Sequence, residues 1–245
     1  MNQKKETHFG YETIDKKEKK KKVEAVFNSV ANNYDLMNNL MSMGLHHVWK
    51  KILIETTPLK TKSKILDIAA GTADISIEFL KKNKNFEIFH TDINLSMLKE
   101  GKKKLINEGK IIPSILCDAE ELPFPDNYFD CVTIGFGLRN MTNKKQALRE
   151  IYRVLSPGGK LVILEFSKIW GPFKSIYDNF SFKILPKLGK LFAKDENSYK
   201  YLVESIRMHP DQKKLLEIIK SVGFEKTSFI NLSSGIVAIH KGYKF

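Results

Sequence analysis

Two periodicities divide the chain. Between residues 64 and 166, short unbroken apolar runs alternate with longer stretches in which apolar side chains return every three or four positions. This pairing predicts strands near 64–68, 86–91, 112–116, 129–135 and 159–166, with helices near 74–82, 95–107 and 143–155. Strands that are apolar throughout are buried on both faces, which is the pattern of a parallel sheet covered by helices on either side. Ser156-Pro157-Gly158-Gly159 marks the turn into the last of these strands. Farther on, an amphipathic helix over 211–222 precedes two β-like runs, 226–232 and 235–241, joined through Ser233-Ser234-Gly235. The fold class that follows is α/β: a doubly wound, mostly parallel seven-stranded sheet that ends in an antiparallel hairpin.

The flanks read differently. Helical spacing from Val23 to Thr57, broken at Asn32-Asn33 and near Gly44, predicts two or three short helices, an N-terminal cap over 23–60. The first 22 residues hold eight lysines against four acidic residues without apolar periodicity, so a mostly disordered arm of solvated charge is expected over 1–22. An inserted segment over 167–207 mixes aromatics at 170, 173, 177, 180, 182, 192, 199 and 201 with lysines at 168, 174, 183, 187, 190, 194 and 200. It is either an extra helical layer on the sheet or a lid over a large apolar substrate.

At 245 residues and 42% hydrophobic content, one domain over 23–245 is expected. No run reaches the ~18 apolar residues of a spanning helix, and the lysine-rich start lacks the apolar core of a secretory signal, so a cytoplasmic protein is expected. Cys117 and Cys131 fall in predicted strands as buried thiols, with no second pair to build a zinc site.

A net charge of +13 invites a nucleic-acid or membrane partner. Only four of the 41 basic residues are arginine, the side chain that nucleic-acid readout favours, which argues against nucleic acid.

The candidate chemistry gathers at strand ends, where ligands bind in open α/β sheets. Asp67 stands in the first strand, and Ala69 to Ala73 follow with no side chain larger than Thr72, so a ligand can approach the backbone closely at Gly71. Asp74 is the expected N-cap of the next helix. Asp92, at the end of the second strand, is placed to accept ribose hydroxyls. With Gly71 the one glycine of the turn, the pyrophosphate-binding G-x-G-x-x-G is missing. That leaves an adenosine-bearing cofactor without phosphates, S-adenosylmethionine, or else a purely structural strand-to-helix connection. Asp118 is placed to accept the adenine amino group, with the Ala119 N–H for a ring nitrogen, although an aspartate there also serves as a turn cap. Met97 and Phe136 flank the cofactor or belong to the core. Arg139 and Asn140 leave the fourth strand in GFGLRN.

DIAAGTAD, TDINLSMLKEGKKKL, DAEELPFPDNYFD, FGLRNMTNKKQALREIYRVLSPGGKLVILEFSK, SYKYLVESIRMHPDQ and GIVAIHKGYKF together resemble the ubiquinone/menaquinone biosynthesis C-methyltransferase (UbiE-type) family, from about Phe27 to Phe245. The resemblance implies a Rossmann-like S-adenosylmethionine-dependent methyltransferase acting on a ring carbon of a polyprenylated quinol, demethylmenaquinol and/or 2-methoxy-6-polyprenyl-1,4-benzoquinol. No metal is needed, because a sulfonium is already an excellent leaving group. Arg139 is then expected to stabilise the developing phenolate and Asn140 to orient a ring oxygen, against the alternative that Arg139 pairs with a surface carboxylate. His209 is the candidate general base, with Tyr201 and Glu165 weaker ones. The aromatic and lysine-rich segment from Ser167 to Tyr201 suits the isoprenoid tail and peripheral contact at the inner membrane surface. Self-association or association with other quinone-biosynthesis enzymes is the remaining expected partnership. Where the family has A-G-G-T-G-D, this chain has Ala70 and Ala73, and the methyl at Ala73 is tolerated where φ is negative. Two rival functions remain, a nucleic-acid methyltransferase and a binding protein on a decayed frame. GFGLRN stands where base-methylating enzymes often carry N-P-P-Y, and Asp67, Thr72, Asp92 and Asp118 are all retained.

Overall fold

The computed structural model describes residues 6–179, 181 and 196–245, with the backbone alone at 32, 173, 174 and 176. The chain opens on a hairpin of β1 (Glu6–Phe9) and β2 (Glu12–Asp15), followed by α1 (Lys16–Val30), α2 (Tyr34–Ser42) and α3 (Leu45–Glu55). Over residues 6–22 this replaces the expected disordered arm with ordered elements. Asp15 caps α1 by accepting the Lys17 N–H at 2.7 Å, Lys22 pairs with Glu12 at 2.8 Å, and Phe9 stacks on Tyr201 at 4.2 Å. The lysine run concealed the helix because its apolar positions, Val23, Val26, Phe27 and Val30, come only in its second half.

The central sheet has the order β5-β4-β3-β6-β7-β9-β8. Here β3 (Lys64–Ile68), β4 (Glu87–Asp92), β5 (Ser114–Leu116), β6 (Phe129–Gly135) and β7 (Leu155–Phe166) run parallel, while β8 (Glu225–Leu232) and β9 (Val237–Tyr243) form the antiparallel edge. The period of two along each strand sorts its side chains into two cores. Ile65, Cys131, Val162, Leu164 and Ile239 share one with Trp49, Leu53, Ile75 and Phe79. Leu66, Val132, Ile134, Leu161 and Ile163 share the other with Leu148, Ile151, Leu215 and Ile219.

The flanking helices are α4 (Asp74–Lys82), α5 (Leu95–Asn107), α6 (Lys144–Val154), α7 (Lys174–Asn179), α8 (Glu196–Met208) and α9 (Gln212–Lys220). Residue 74 begins α4, and Ala73, not Asp74, occupies the N-cap. Of the expected lid over 167–207, the aromatics at 180, 182 and 192 and the lysines at 183, 187, 190 and 194 lie outside the described residues. Its last part, α8, is a packed layer that buries Tyr199, Tyr201, Leu202, Val203 and Ile206.

Candidate functional site

Strand order reverses between β3 and β6, and a cavity opens at their carboxyl ends. Ala69 and Gly71 line it after β3, Asp92 to Asn94 after β4, Cys117 to Glu120 after β5, and Phe136, Gly137, Asn140 and Met141 after β6. Lys20, Val23, Glu24 and Phe27 of α1, with Tyr34 of α2, close it from above. Its empty volume, open mouth included, is ≈ 910 Å³.

The floor of the cavity is the turn after β3. Gly71 has φ +53°, and a methyl there would lie 3.1 Å from Met97 Cε. The turn is backed by α5: a Cβ on Gly101 would come within 2.3 Å of the Gly71 carbonyl oxygen, which also pairs with His90 Nε2 at 3.0 Å. Ala69 and Ala73 adopt φ +50° and +64°. Ala73 therefore does not take the negative φ under which its methyl was expected to be tolerated, and the left-handed conformation persists without the glycine that relieves it.

Asp92 is 8% exposed. Its carboxylate accepts the N–H of Gly71 at 2.9 Å and of Asn94 at 2.8 Å, and burial lifts its pKa to about 6 against these hydrogen bonds. Asp118 accepts the Glu120 N–H at 2.9 Å through one oxygen and pairs with Lys20 through the other. Ala119 lines the cavity beside it. The turn cap is thus seen on one oxygen of Asp118, while the other, in a residue that lines the cavity, is held by Lys20.

Other site residues stand elsewhere. Asp67 is fully buried and accepts Ser76 Oγ at 2.7 Å and Thr133 Oγ1 at 2.9 Å. It ties β3 to α4 and β6 and does not line the cavity, so it shapes the turn from behind. Thr72 also stays behind the wall, with Oγ1 3.4 Å from Asp35. Arg139 pairs with a buried carboxylate, not a surface one: Nη1 donates to Glu165 at 2.8 Å and to the Phe136 carbonyl, and the backbone N–H donates to Glu165 at 3.1 Å. Its Nε–H is buried without a partner among the described residues, and its neighbour Asn140 reaches the cavity. His209 lines a different cavity with Ser167, Lys168 and Met208, and both its ring nitrogens lack partners among the described residues. Burial, then Lys144 and Arg139, holds its pKa well below the usual imidazole value.

Lys20, Phe27, Tyr34 and Asn94 were missed as site residues. The first three come from helices whose docking depends on tertiary contacts. Asn94 had a legible signal, since it is the N-cap of α5 and accepts the Met97 N–H at 2.9 Å. Its Nδ2 also donates to Asn28 Oδ1 at 3.0 Å and so fastens α1 over the cavity.

The turn does not suit a pyrophosphate. The N–H groups of Ala70, Gly71 and Ala73 are engaged by Thr91, Asp92 and Ala70, and the nearby Lys50 and Lys104 are both paired with Asp74. Four carboxylates, Glu24, Asp92, Asp118 and Glu120, line the cavity with one ammonium, that of Lys20, and this balance suits an adenosine without phosphates.

Comparison with known proteins agrees. A curated ubiquinone/menaquinone biosynthesis C-methyltransferase from Paraburkholderia phymatum is 56% identical over 241 residues, covering 98% of this chain and 99% of that protein. One from Burkholderia mallei is 55% identical over 240 residues, with 98% and 99% covered. Among solved structures, a methyltransferase dependent on S-adenosylmethionine from Thermotoga maritima shares the fold with a TM-score of 0.63 at 17% identity, covering 90% of this chain and 99% of that one. Another from Aquifex aeolicus gives 0.60 at 14% identity, covering 80% and 89%. The model of the ubiE/COQ5 methyltransferase family matches residues 15–244, and the chain belongs to that family.

Proposed function

We propose that the chain is an S-adenosylmethionine-dependent C-methyltransferase that methylates a polyprenylated quinol in menaquinone or ubiquinone biosynthesis. One observation carries the reading: Asp92, Asp118 and Asn140, from three different strand ends, open onto one cavity in a chain more than half identical to curated quinone C-methyltransferases.

Asp92 accepts the ribose hydroxyls, while Asp118, released from Lys20, and the Ala119 N–H take the adenine edge. Gly71 lets the cofactor lie against the backbone. When bound, the cofactor supplies a methyl group on a positively charged sulfur. The ring carbon that accepts it needs electron density from a neighbouring phenolate, and the protein's task is to place the ring and favour that anion. Asn140 faces the cavity and orients a ring oxygen. Arg139 does not line the cavity, and its buried Nε–H, without a partner among the described residues, is the donor assigned to the developing oxyanion once substrate is bound.

His209 opens onto the other cavity. Burial keeps the Tyr201 phenol well above its usual range, and Glu165 is engaged by Arg139, so none of the three is assigned as base.

Arg139→Lys keeps a positive charge against Glu165 while removing the Nε–H. It should lower kcat about 10²-fold, as loss of an oxyanion donor does, with cofactor affinity unchanged. Wild-type kcat would remove Arg139 from the mechanism.

No helix among the described residues is long and apolar enough to cross a membrane. A polyprenyl substrate resides in the bilayer, so the protein works at the cytoplasmic face of the inner membrane, through the segment from Ser167 to Tyr201, where Trp170 is 65% exposed. Co-flotation with anionic vesicles should fall when that segment is deleted, and unchanged flotation rejects it. Self-association or docking to other quinone-biosynthesis enzymes belongs to the same reading. The function is tested by extracting quinones from a methyltransferase-null bacterium that carries this gene. The demethylated precursor should disappear, and its persistence despite expression of folded protein rejects the assignment.

A further inference from the structure

Asn140 is one of the residues through which the chain after β6 reaches the cavity, and an asparagine amide has two chemically opposite ends. With its oxygen toward the substrate it accepts a proton and favours a neutral hydroxyl. With its nitrogen there it donates two protons and favours an oxyanion.

The structure contains a group that decides between them. Tyr201, on α8, donates its O–H to Asn140 Oδ1 at 3.0 Å, across 61 residues of chain. Tyr201 is 4% exposed and its ring is stacked on Phe9 at 4.2 Å and 17°, so the hydroxyl is held in place from the far side by the N-terminal hairpin. That hairpin is itself tied to α8 where the Tyr11 N–H donates to Glu204 at 3.2 Å.

Were the amide turned over, its NH₂ would donate to the tyrosine oxygen and the buried O–H proton would lose its acceptor, an arrangement that burial penalises. Burial also keeps the phenol protonated, against the nearby Arg139 and with the nearby Glu165, so the donor persists across the neutral range.

We propose that Tyr201 is a positioning residue that fixes the Asn140 amide with its NH₂ group toward the substrate, so that the site selects a ring oxyanion over a ring hydroxyl. This rests on the reading of Asn140 as the group that meets the ring oxygen. It gives the hairpin and α8 a part in catalysis although neither touches the reacting atoms.

The test is a double-mutant cycle on the purified full-length protein, with S-adenosylmethionine and a short-chain demethylmenaquinol as probes. Tyr201→Phe keeps the ring and its stack and removes only the O–H. It should lower kcat about tenfold, less than loss of the donor itself, and leave cofactor affinity within about twofold. In an Asn140→Ala background the same change should have no further effect. Asn140→Asp keeps an acceptor for Tyr201 but presents oxygen to the cavity, and should lose as much turnover as Asn140→Ala.

Full turnover by Asn140→Ala would overturn the underlying reading of Asn140 and this inference with it. Reduced turnover by Asn140→Ala with full turnover by Tyr201→Phe would overturn the positioning role alone, as would additive losses in the double variant. Retained turnover by Asn140→Asp would overturn the claim that a donor faces the substrate, whatever the tyrosine variant does.

Discussion

Asp92 carries the clearest residue-level consequence. The fold holds this carboxyl at a pKa of about 6, above the ~3.9 of a free aspartate, because burial outweighs the backbone N–H groups that favour the anion. The folded state therefore binds this proton more firmly than the unfolded chain, and the stability associated with it is lost as pH rises from about 4 to about 6. On the role proposed for Asp92, ribose hydroxyls donate to the ionised form, so binding must release the proton wherever the carboxyl is still protonated. Cofactor affinity should be flat above pH 6 and fall by up to about tenfold per pH unit below it. Asp92→Asn should weaken binding by about 10–100-fold, the value of a charge-assisted hydrogen bond or two, and abolish the pH dependence. Calorimetric titration between pH 5 and 8 measures both, and a pH dependence that survives Asp92→Asn would assign the titration to another group. The residue types at 67 and 139 were legible in the sequence, but their partners were not. Asp67 bonds Ser76 and Thr133, and Arg139 bonds a glutamate inside what reads as an unbroken core strand. Apolar patterning has no signal for a charge that is buried because another buried charge meets it.

The element that distinguishes this chain is the turn from β3 into α4, where Ala69 and Ala73 hold left-handed conformations that cost an L-residue about 1–2 kcal/mol. The two should respond differently to glycine. Ala69 is only half-buried, so Ala69→Gly should stabilise by about 0.5–1 kcal/mol, or roughly 1–4 °C in Tm for a chain of this length. At the fully buried Ala73 the same relief is offset by about 0.8 kcal/mol of lost methyl burial, so Ala73→Gly should be near neutral. Thermal melts that show the reverse order would mean that the strain is relieved elsewhere. The start of α4 is pinned by Asp74 between Lys50 and Lys104. Burial pushes this carboxyl up, but the two lysines outweigh it and hold the pKa well below the usual range. Its contribution to stability is thus present at neutral pH and lost as pH falls below about 4. Asp74→Ala strands the buried Lys50 ammonium and should cost about 3–5 kcal/mol in urea unfolding. A cost below about 1 kcal/mol, the value of an exposed pair, would show that Lys50 reaches solvent. The sequence placed this turn and both flanking elements because their apolar periods differ sharply. It could not give the sign of φ at an alanine, which the surrounding packing imposes.

At the scale of the molecule, the sheet from β3 to β9 follows from hydrophobic pattern, since each strand's period of two feeds two cores and each helix presents one apolar stripe. What pattern could not reveal is how the N-terminal segment closes over the cofactor cavity. Lys20 meets Asp118, Glu24 and Phe27 line the opening, and Phe9 braces Tyr201, all through contacts that a lysine-rich stretch does not advertise. The cavity joins Asp92 and Asp118, the carboxylates proposed to hold the adenosine, to Asn140, whose neighbour Arg139 lies outside the lining, and on the proposed function these act together on a quinol ring carbon. The direct measurement supplies the purified protein with S-adenosylmethionine carrying a deuterated methyl group, together with demethylmenaquinol, and reads the quinone product by mass spectrometry with fragmentation. The labelled methyl is expected on a ring carbon, with label lost in Asp92→Asn at limiting cofactor and in Arg139→Lys at saturating cofactor. A wild-type protein that binds the cofactor but leaves both demethylmenaquinol and the corresponding benzoquinol unlabelled would contradict the proposed function.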